Sequence, residues 1–201
     1  MFYDDNIRDY GDINYKINKL YCEKYNLDLI LSKEKTYKDR HSAYERLPLI
    51  LKHIKDYDYI VWIDADAFFY INSNNIIDII NSNSNTNFIC SNDIGNNNIN
   101  TGIFIVKNSQ YSIDFLTKWA YDEELYINNP YPTWWDQGVL INMINQNILD
   151  INQNLIKYDY GVLQHFYEHD KLDKTYIYHI AGRNTDIRYD ISKSYYDKIF
   201  I

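Results

Sequence analysis

Two aspartates one residue apart, Asp64 and Asp66, stand inside the most apolar stretch of the chain, YIVWIDADAFFY at 59–70. Residues i and i+2 of an extended segment point to the same side, so both carboxylates can face one point, with the small Ala65 between them. Held that close, two negative charges repel unless a proton or a cation lies between them. Neighbours such as Trp62, Phe68 and Phe69 raise the cost of leaving charge unbalanced. A hard divalent ion suits carboxylate oxygens; a capped turn is the plainer alternative. A second Asp-x-Asp, Asp56-Tyr57-Asp58, precedes the apolar run and reads as a solvated turn.

The elements around the pair decide between these readings. Helical spacing predicts helices over 13–25 (Ile17, Leu20, Tyr21, Tyr25) and 41–55 (Leu47, Ile50, Leu51, Ile54). YIVWI at 59–63 is continuously apolar, as in a strand buried on both faces. Further strands are expected at 2–3, 28–31, 88–90, 102–106, 155–158 and 176–180. Helices are expected at about 74–80, 110–120 (Phe115, Leu116, Trp119, Ala120 inward) and 135–145 (Val139, Leu140, Met143, Ile144 inward). Strands alternating with helices imply an α/β layer structure with a central, mainly parallel sheet. In such sheets ligands bind beyond the carboxyl ends of strands, which is where Asp64 and Asp66 fall and where Asp56 and Asp58 do not.

Composition narrows the classes. The 201 residues suit a single compact domain, either alone or as one domain of a longer chain, and 46% are apolar, enough for a core. The formal net charge of -8 and scattered basic residues argue against a nucleic-acid partner; an anionic ligand would need a cation to accompany it. Cys22 and Cys90 have no zinc-site spacing and read as buried free thiols in a reducing compartment. No apolar leader and no run of about 18 apolar residues is present, so no membrane span is expected and a cytoplasmic or otherwise soluble intracellular location is. His165 and His169 share i, i+4 spacing without a supporting cluster and read as surface residues.

Four motifs in order give a resemblance. SAYERLPLILKHIKDYDYIVWIDADAFFY, INTGIFIVKNSQYSIDFLTKWA at 99–120, WWDQGVLINMI at 134–144 and YHIAGR at 178–183 resemble the core of GT-A fold glycosyltransferases with a DxD motif. The flavour is closest to the galactosyl/xylosyltransferases, with some likeness to the bacterial-type family 8 enzymes. The resemblance implies a GT-A (Rossmann-like) fold and transfer of a hexose or pentose from a nucleotide-diphospho-sugar, UDP-linked above all, to a glycan or other hydroxyl acceptor. It implies Mn2+, or Mg2+, on Asp64, Asp66 and His179. It also implies donor contacts from Tyr3, Asp4, Arg46, Asp64, Ala65, Asn100, Thr101, Gly102, Gly182 and Arg183, and a role at the reacting centre for Asp136 and Gln137. Relatives often carry a Lys shortly after the His-x-x-Gly segment; Asn184 and Thr185 stand here, and Arg183 is expected to take that task.

Plainer roles stay open beside these. Asp136 could cap a helix, His179 could be structural, Asn100 could be an ordinary turn residue, and Trp134 and Trp135 could be packing or, with Tyr131, a platform for a sugar face. An apolar strand ending in DxD also resembles the haloacid dehalogenase phosphatases, but the later Lys and paired acids of that family are not found. A non-catalytic sugar-nucleotide-binding module is the third reading.

Overall fold

A computed structural model describes residues 1–94, 98–166 and 175–200. Along the chain run α1 (Arg8–Tyr25), α2 (Arg46–His53), β1 (Tyr59–Ile63), β2 (Ala67–Phe69), α3 (Ile77–Ser82), β3 (Phe88–Asn92), β4 (Ile99–Lys107), α4 (Gln110–Tyr121), α5 (Glu123–Ile127), α6 (Trp135–Asn145), α7 (Ile151–Asn154), β5 (Leu155–Tyr158), β6 (Gln164–His165), β7 (Ile177–His179) and α8 (Thr185–Phe200). Contacts divide them into two compact units. The first comprises Met1–Glu34, Ile63–Ser82 and Tyr160–Ile201, the second Lys35–Trp62 and Asn83–Asp159.

The first unit is built on a three-stranded sheet of order β2-β7-β6. β2 is antiparallel to β7, with Ala67 opposite His179, and β6 runs parallel to β7. Helices α1 and α8 cover it through Ile17, Phe68, Tyr178 and Ile180, with Ile13, Ile191, Tyr195 and Ile199 packed around them. Helix α1 begins at Arg8, five residues before its expected start. Its buried face reads Tyr10, Gly11, Asn14, Ile17, Asn18, Tyr21. The spacing is helical, but the polar members break the apolar signal. Asn26 ends the helix in the left-handed region, a conformation asparagine tolerates.

The second unit carries a four-stranded sheet of order β1-β4-β3-β5. It is mixed rather than mainly parallel: β3 is antiparallel to β4 and parallel to β5. The reason is the short connection from Asn92 to Ile99, which can only fold the chain back on itself. The register shifts between Cys90 and Ser91, whose partners are Phe104 and Asn100, so Thr101 and Gly102 lie in a bulge. β1 is an edge strand with Tyr59, Ile60 and Val61 only partly buried, not covered on both faces. Phe88, Phe104, Phe115 and Trp119 form an aromatic core. Asp56 and Asp58 are exposed, as a solvated turn requires.

Two expectations fail on local grounds. Residues 28–31 form no strand; the Met1 amine donates to the Ile30 carbonyl at 3.2 Å, and the adjoining Ser32 makes an isolated bridge with Phe2. His165 is buried, not on the surface: its Nε2 lies 2.6 Å from the Tyr70 hydroxyl and its ring stacks on Tyr178. His169 lies outside the described residues. Among the described residues no helix is long and apolar enough to cross a membrane.

Cys22 and Cys90 are free and buried. Burial pushes their thiols up, to about 11 and about 12 respectively. Thiolate is the reactive form, so neither should react with a disulfide reagent at pH 8 in the native protein. Both should react after denaturation. Rapid native labelling of Cys90 would contradict its place in β3.

Candidate functional site

The apolar strand β1 delivers the chain to a tight turn, not to a further extended segment. The Ala67 amide donates to the Asp64 carbonyl at 3.1 Å, closing a turn over Asp64–Ala67. The two carboxylates still come together. Asp64, Asp66 and His179 each offer a donor atom, and these atoms lie within 4.8 Å of one another. His179 arrives by register: it sits opposite Ala67, and the Ile180 amide donates to the Asp66 carbonyl at 2.8 Å.

The ring of His179 is oriented by a buried glutamine. Nδ1 lies 2.8 Å from Gln164 Oε1 and Nε2 lies 3.3 Å from Asp66 Oδ1. With Nδ1 held by that carbonyl oxygen, Nε2 is the ring atom turned to the acidic pair, the usual arrangement of a ligating histidine. Two carboxylates and an oriented imidazole therefore fit a divalent ion.

Asp66 is the best-defined member. Burial works against its charge, but the charge of His179, its hydrogen bond and the charge of Arg188 outweigh that, holding the carboxyl at about 2. Arg188, on the first turns of α8, places Nη2 3.0 Å from Asp66 Oδ2. Its guanidinium lies 5.7 Å from the Tyr10 ring. Tyr10 is buried; burial raises its hydroxyl, and the charge of Asp66 raises it further, to about 12, against the lowering influence of Arg188.

The backbone of the turn is fixed from α1. Asn14 Nδ2 donates to the Ala65 carbonyl at 2.9 Å, and Asn18 Nδ2 donates to the Ala67 carbonyl at 3.0 Å. Asn18 Oδ1 accepts from the Phe69 amide at 2.9 Å. Sequence reading missed Asn14, Asn18, Gln164 and Arg188. The signal for the asparagines was their i, i+4 spacing on the buried face of α1; Gln164 and Arg188 are joined to the site only by tertiary pairing.

The remaining first-unit expectations are placed as follows. Tyr3 is buried against Gly11, where any side chain would meet its ring at 2.9 Å, and its hydroxyl donates to Asp12 at 2.6 Å. Asp4 accepts from the Asn6 amide and caps a short 3-10 turn. Gly182 has φ 71, a left-handed turn before α8. Arg183 is exposed; the arginine that reaches Asp66 is Arg188.

The second unit gathers the other predicted residues into a buried polar cluster. Arg46 opens α2, donates from Nε to the Ala43 carbonyl at 2.9 Å and from Nη1 to the Thr101 carbonyl, and lies 3.3 Å from Asp136 Oδ2. Gln137 Oε1 accepts from the Thr101 amide at 3.1 Å. Asn100 Oδ1 accepts from the Gly102 amide at 2.9 Å. The Asn-Thr-Gly bulge of β4 is thus clamped by α2 and α6. Asp136 lies buried in the first turn of α6, whose N-cap position is Trp134. Its backbone carbonyl receives the Trp119 indole N–H at 3.0 Å.

Beside the cluster, Trp134 and Trp135 are partly exposed. Tyr131 stacks on Trp134, and His41 stacks on Trp135 with centroids 3.8 Å apart. Trp135 has φ 47 and ψ -125, a conformation suited to glycine.

A family model described as "Protein of unknown function, DUF273" matches residues 18–185. The chain belongs to the DUF273 family. No curated protein sequence matches it. Among solved structures, this DUF273 chain is similar to a glycosyltransferase involved in glycosylation of the major capsid of PBCV-1. The TM-score is 0.73 at 16% identity, covering 92% of each chain. It is also similar to the galactosyltransferase LgtC in complex with donor and acceptor sugar analogs, with a TM-score of 0.54, 12% identity and coverage of 96% and 94%. A third likeness is to GlyE of Streptococcus pneumoniae TIGR4, with a TM-score of 0.58, 12% identity and coverage of 99% and 62%. The DUF273 chain therefore has a GT-A type α/β fold.

Two stability tests follow from the second unit. Arg46→Met leaves the Asp136 charge buried without its guanidinium and should cost about 3–5 kcal/mol in urea unfolding, most of it recovered in Arg46→Met/Asp136→Leu. Trp135→Gly and Trp135→Ala both lose the stack on His41, but only glycine suits the backbone there. The glycine variant should be more stable than the alanine variant by about 1 kcal/mol; the reverse order would contradict the strained φ.

Proposed function

We propose that the chain is a metal-dependent glycosyltransferase that takes a hexose or pentose from a nucleotide-diphospho-sugar, UDP-linked, and transfers it to a glycan or other hydroxyl acceptor. One observation carries this reading: two carboxylates and an oriented imidazole converge at the end of β1, in a fold shared with solved glycosyltransferases. Asp64, Asp66 and His179 would hold the ion, Mn2+ or Mg2+. Bound there, it would act as a Lewis acid that neutralises the diphosphate as the glycosidic bond breaks.

The chain's own residues supply the rest. Asp66 stays ionised through the neutral range, since His179 and Arg188 outweigh its burial. Asn14 and Asn18 keep the turn from relaxing under the charge it holds. Gln164 fixes the face that His179 presents. Asn100, Thr101 and Gly102 are assigned to the sugar, on a bulge held rigid by Arg46 and Gln137. Asp136 and Gln137 are assigned to the reacting centre. The pairing of Asp136 with Arg46 favours a fixed negative charge that stabilises an oxocarbenium-like carbon over a proton acceptor.

The test is calorimetric titration with UDP, GDP and their sugars, in Mn2+ and in EDTA, on the native chain and on Asp66→Ala. The expected result is Mn2+-dependent binding of UDP or a UDP-sugar that the variant loses. Binding of no nucleotide with any metal would overturn the proposal. Hydrolysis of a generic phosphate ester without a nucleotide sugar would favour a phosphatase instead.

A further inference from the structure

Both oxygens of Asp66 are already engaged: Oδ1 faces His179 Nε2 at 3.3 Å and Oδ2 faces Arg188 Nη2 at 3.0 Å. An ion shared by Asp64, Asp66 and His179 would bring two positive charges to the carboxylate that the guanidinium already holds. Like charges at that separation repel, so ion and guanidinium each weaken the other's hold on Asp66. The backbone of Arg188 has no freedom to retreat, because α8 is packed on the sheet through Ile191, Tyr195 and Ile199. The side chain does. It is 24% exposed, and among the described residues its other contacts are a long Nε bond to the Ile180 carbonyl at 3.4 Å and the Tyr10 side chain.

We propose that Arg188 is a resident counter-ion that a divalent cation displaces from Asp66, and that the displaced guanidinium then binds the diphosphate of the incoming nucleotide. This rests on the donor reading of the same site. A planar guanidinium pairs with phosphate oxygens through two parallel N–H donors. In a chain of net charge -8, a cation freed only when metal is present makes diphosphate binding conditional on the metal. Metal-free protein keeps the site closed to anions, because its arginine is already satisfied by the acid. Arg188 thus takes the place expected for Arg183, five residues earlier and exposed.

The proposal makes two effects of one substitution run in opposite directions. Isothermal titration of Mn2+ alone, then of UDP and of uridine at saturating Mn2+, is applied to the native chain, Arg188→Ala and Arg188→Lys, with thermal unfolding as the check on folding. Arg188→Ala should bind Mn2+ about three- to tenfold more tightly, since a competing charge is gone. It should bind UDP about tenfold or more weakly, with uridine unchanged, since a charge-assisted contact to the phosphates is lost. Arg188→Lys keeps the charge but not the fork, so its Mn2+ affinity should stay near native while UDP binding recovers only in part. A merely structural arginine would weaken both ligands together or move neither, and either result with native binding intact overturns this inference alone. A native chain that binds neither Mn2+ nor UDP removes the donor reading and this inference with it.

Discussion

The first unit depends on two buried amides one helical turn apart. Asn14 and Asn18 of α1 take the carbonyls of Ala65 and Ala67 and supply the acceptor for the Phe69 amide. A turn placed among aromatic side chains leaves backbone groups that water cannot reach, and each would cost free energy if unpaired. An aliphatic pair at these positions would bury more apolar area and leave those groups stranded. The helix is therefore not simply a hydrophobic lid. It is a template that sets where the acidic pair points, and β7 can bring His179 to that point only because the turn has one shape.

Charge is handled differently in the two units. In the second, Arg46 and Asp136 are both almost fully buried and paired with each other and with the backbone of the Asn-Thr-Gly bulge. Such a pair adds little net stability but fixes geometry, since any other arrangement strands a charge. In the first, Asp66 is paired yet still partly open to solvent, and its partners are side chains that can exchange. The closed pair suits a scaffold. The open one suits a binding site.

Much of this was legible in the residues. Strands 59–63 and 155–158 and helix 135–145 have their expected bounds; the first is marked by the apolar run YIVWI. The convergence of Asp64, Asp66 and His179 was also expected, although the local geometry is a turn and not an extended segment. What periodicity could not deliver had two causes. The start of α1 is hidden because its inward face carries amides whose partners lie far away in sequence. The sheet is mixed because short connections force antiparallel neighbours, which an alternation of strands and helices does not reveal. Arg188 was not singled out because its approach to Asp66 is made by the packing of α8, which sequence spacing does not reveal.

The first unit is assembled from three separate stretches of chain, with the second unit's stretches interposed between them in sequence. During synthesis Asp64 and Asp66 leave the ribosome while the residues that complete their surroundings, Gln164, His179 and Arg188, have yet to be translated. A nascent chain therefore carries an uncompensated acidic pair flanked by exposed aromatic side chains, with nothing to orient an ion or neutralise the charge. On the proposed reading, a cation held by Asp64, Asp66 and His179 needs residues from early and late in the chain's order, so its binding would report on completed folding as well as serve chemistry.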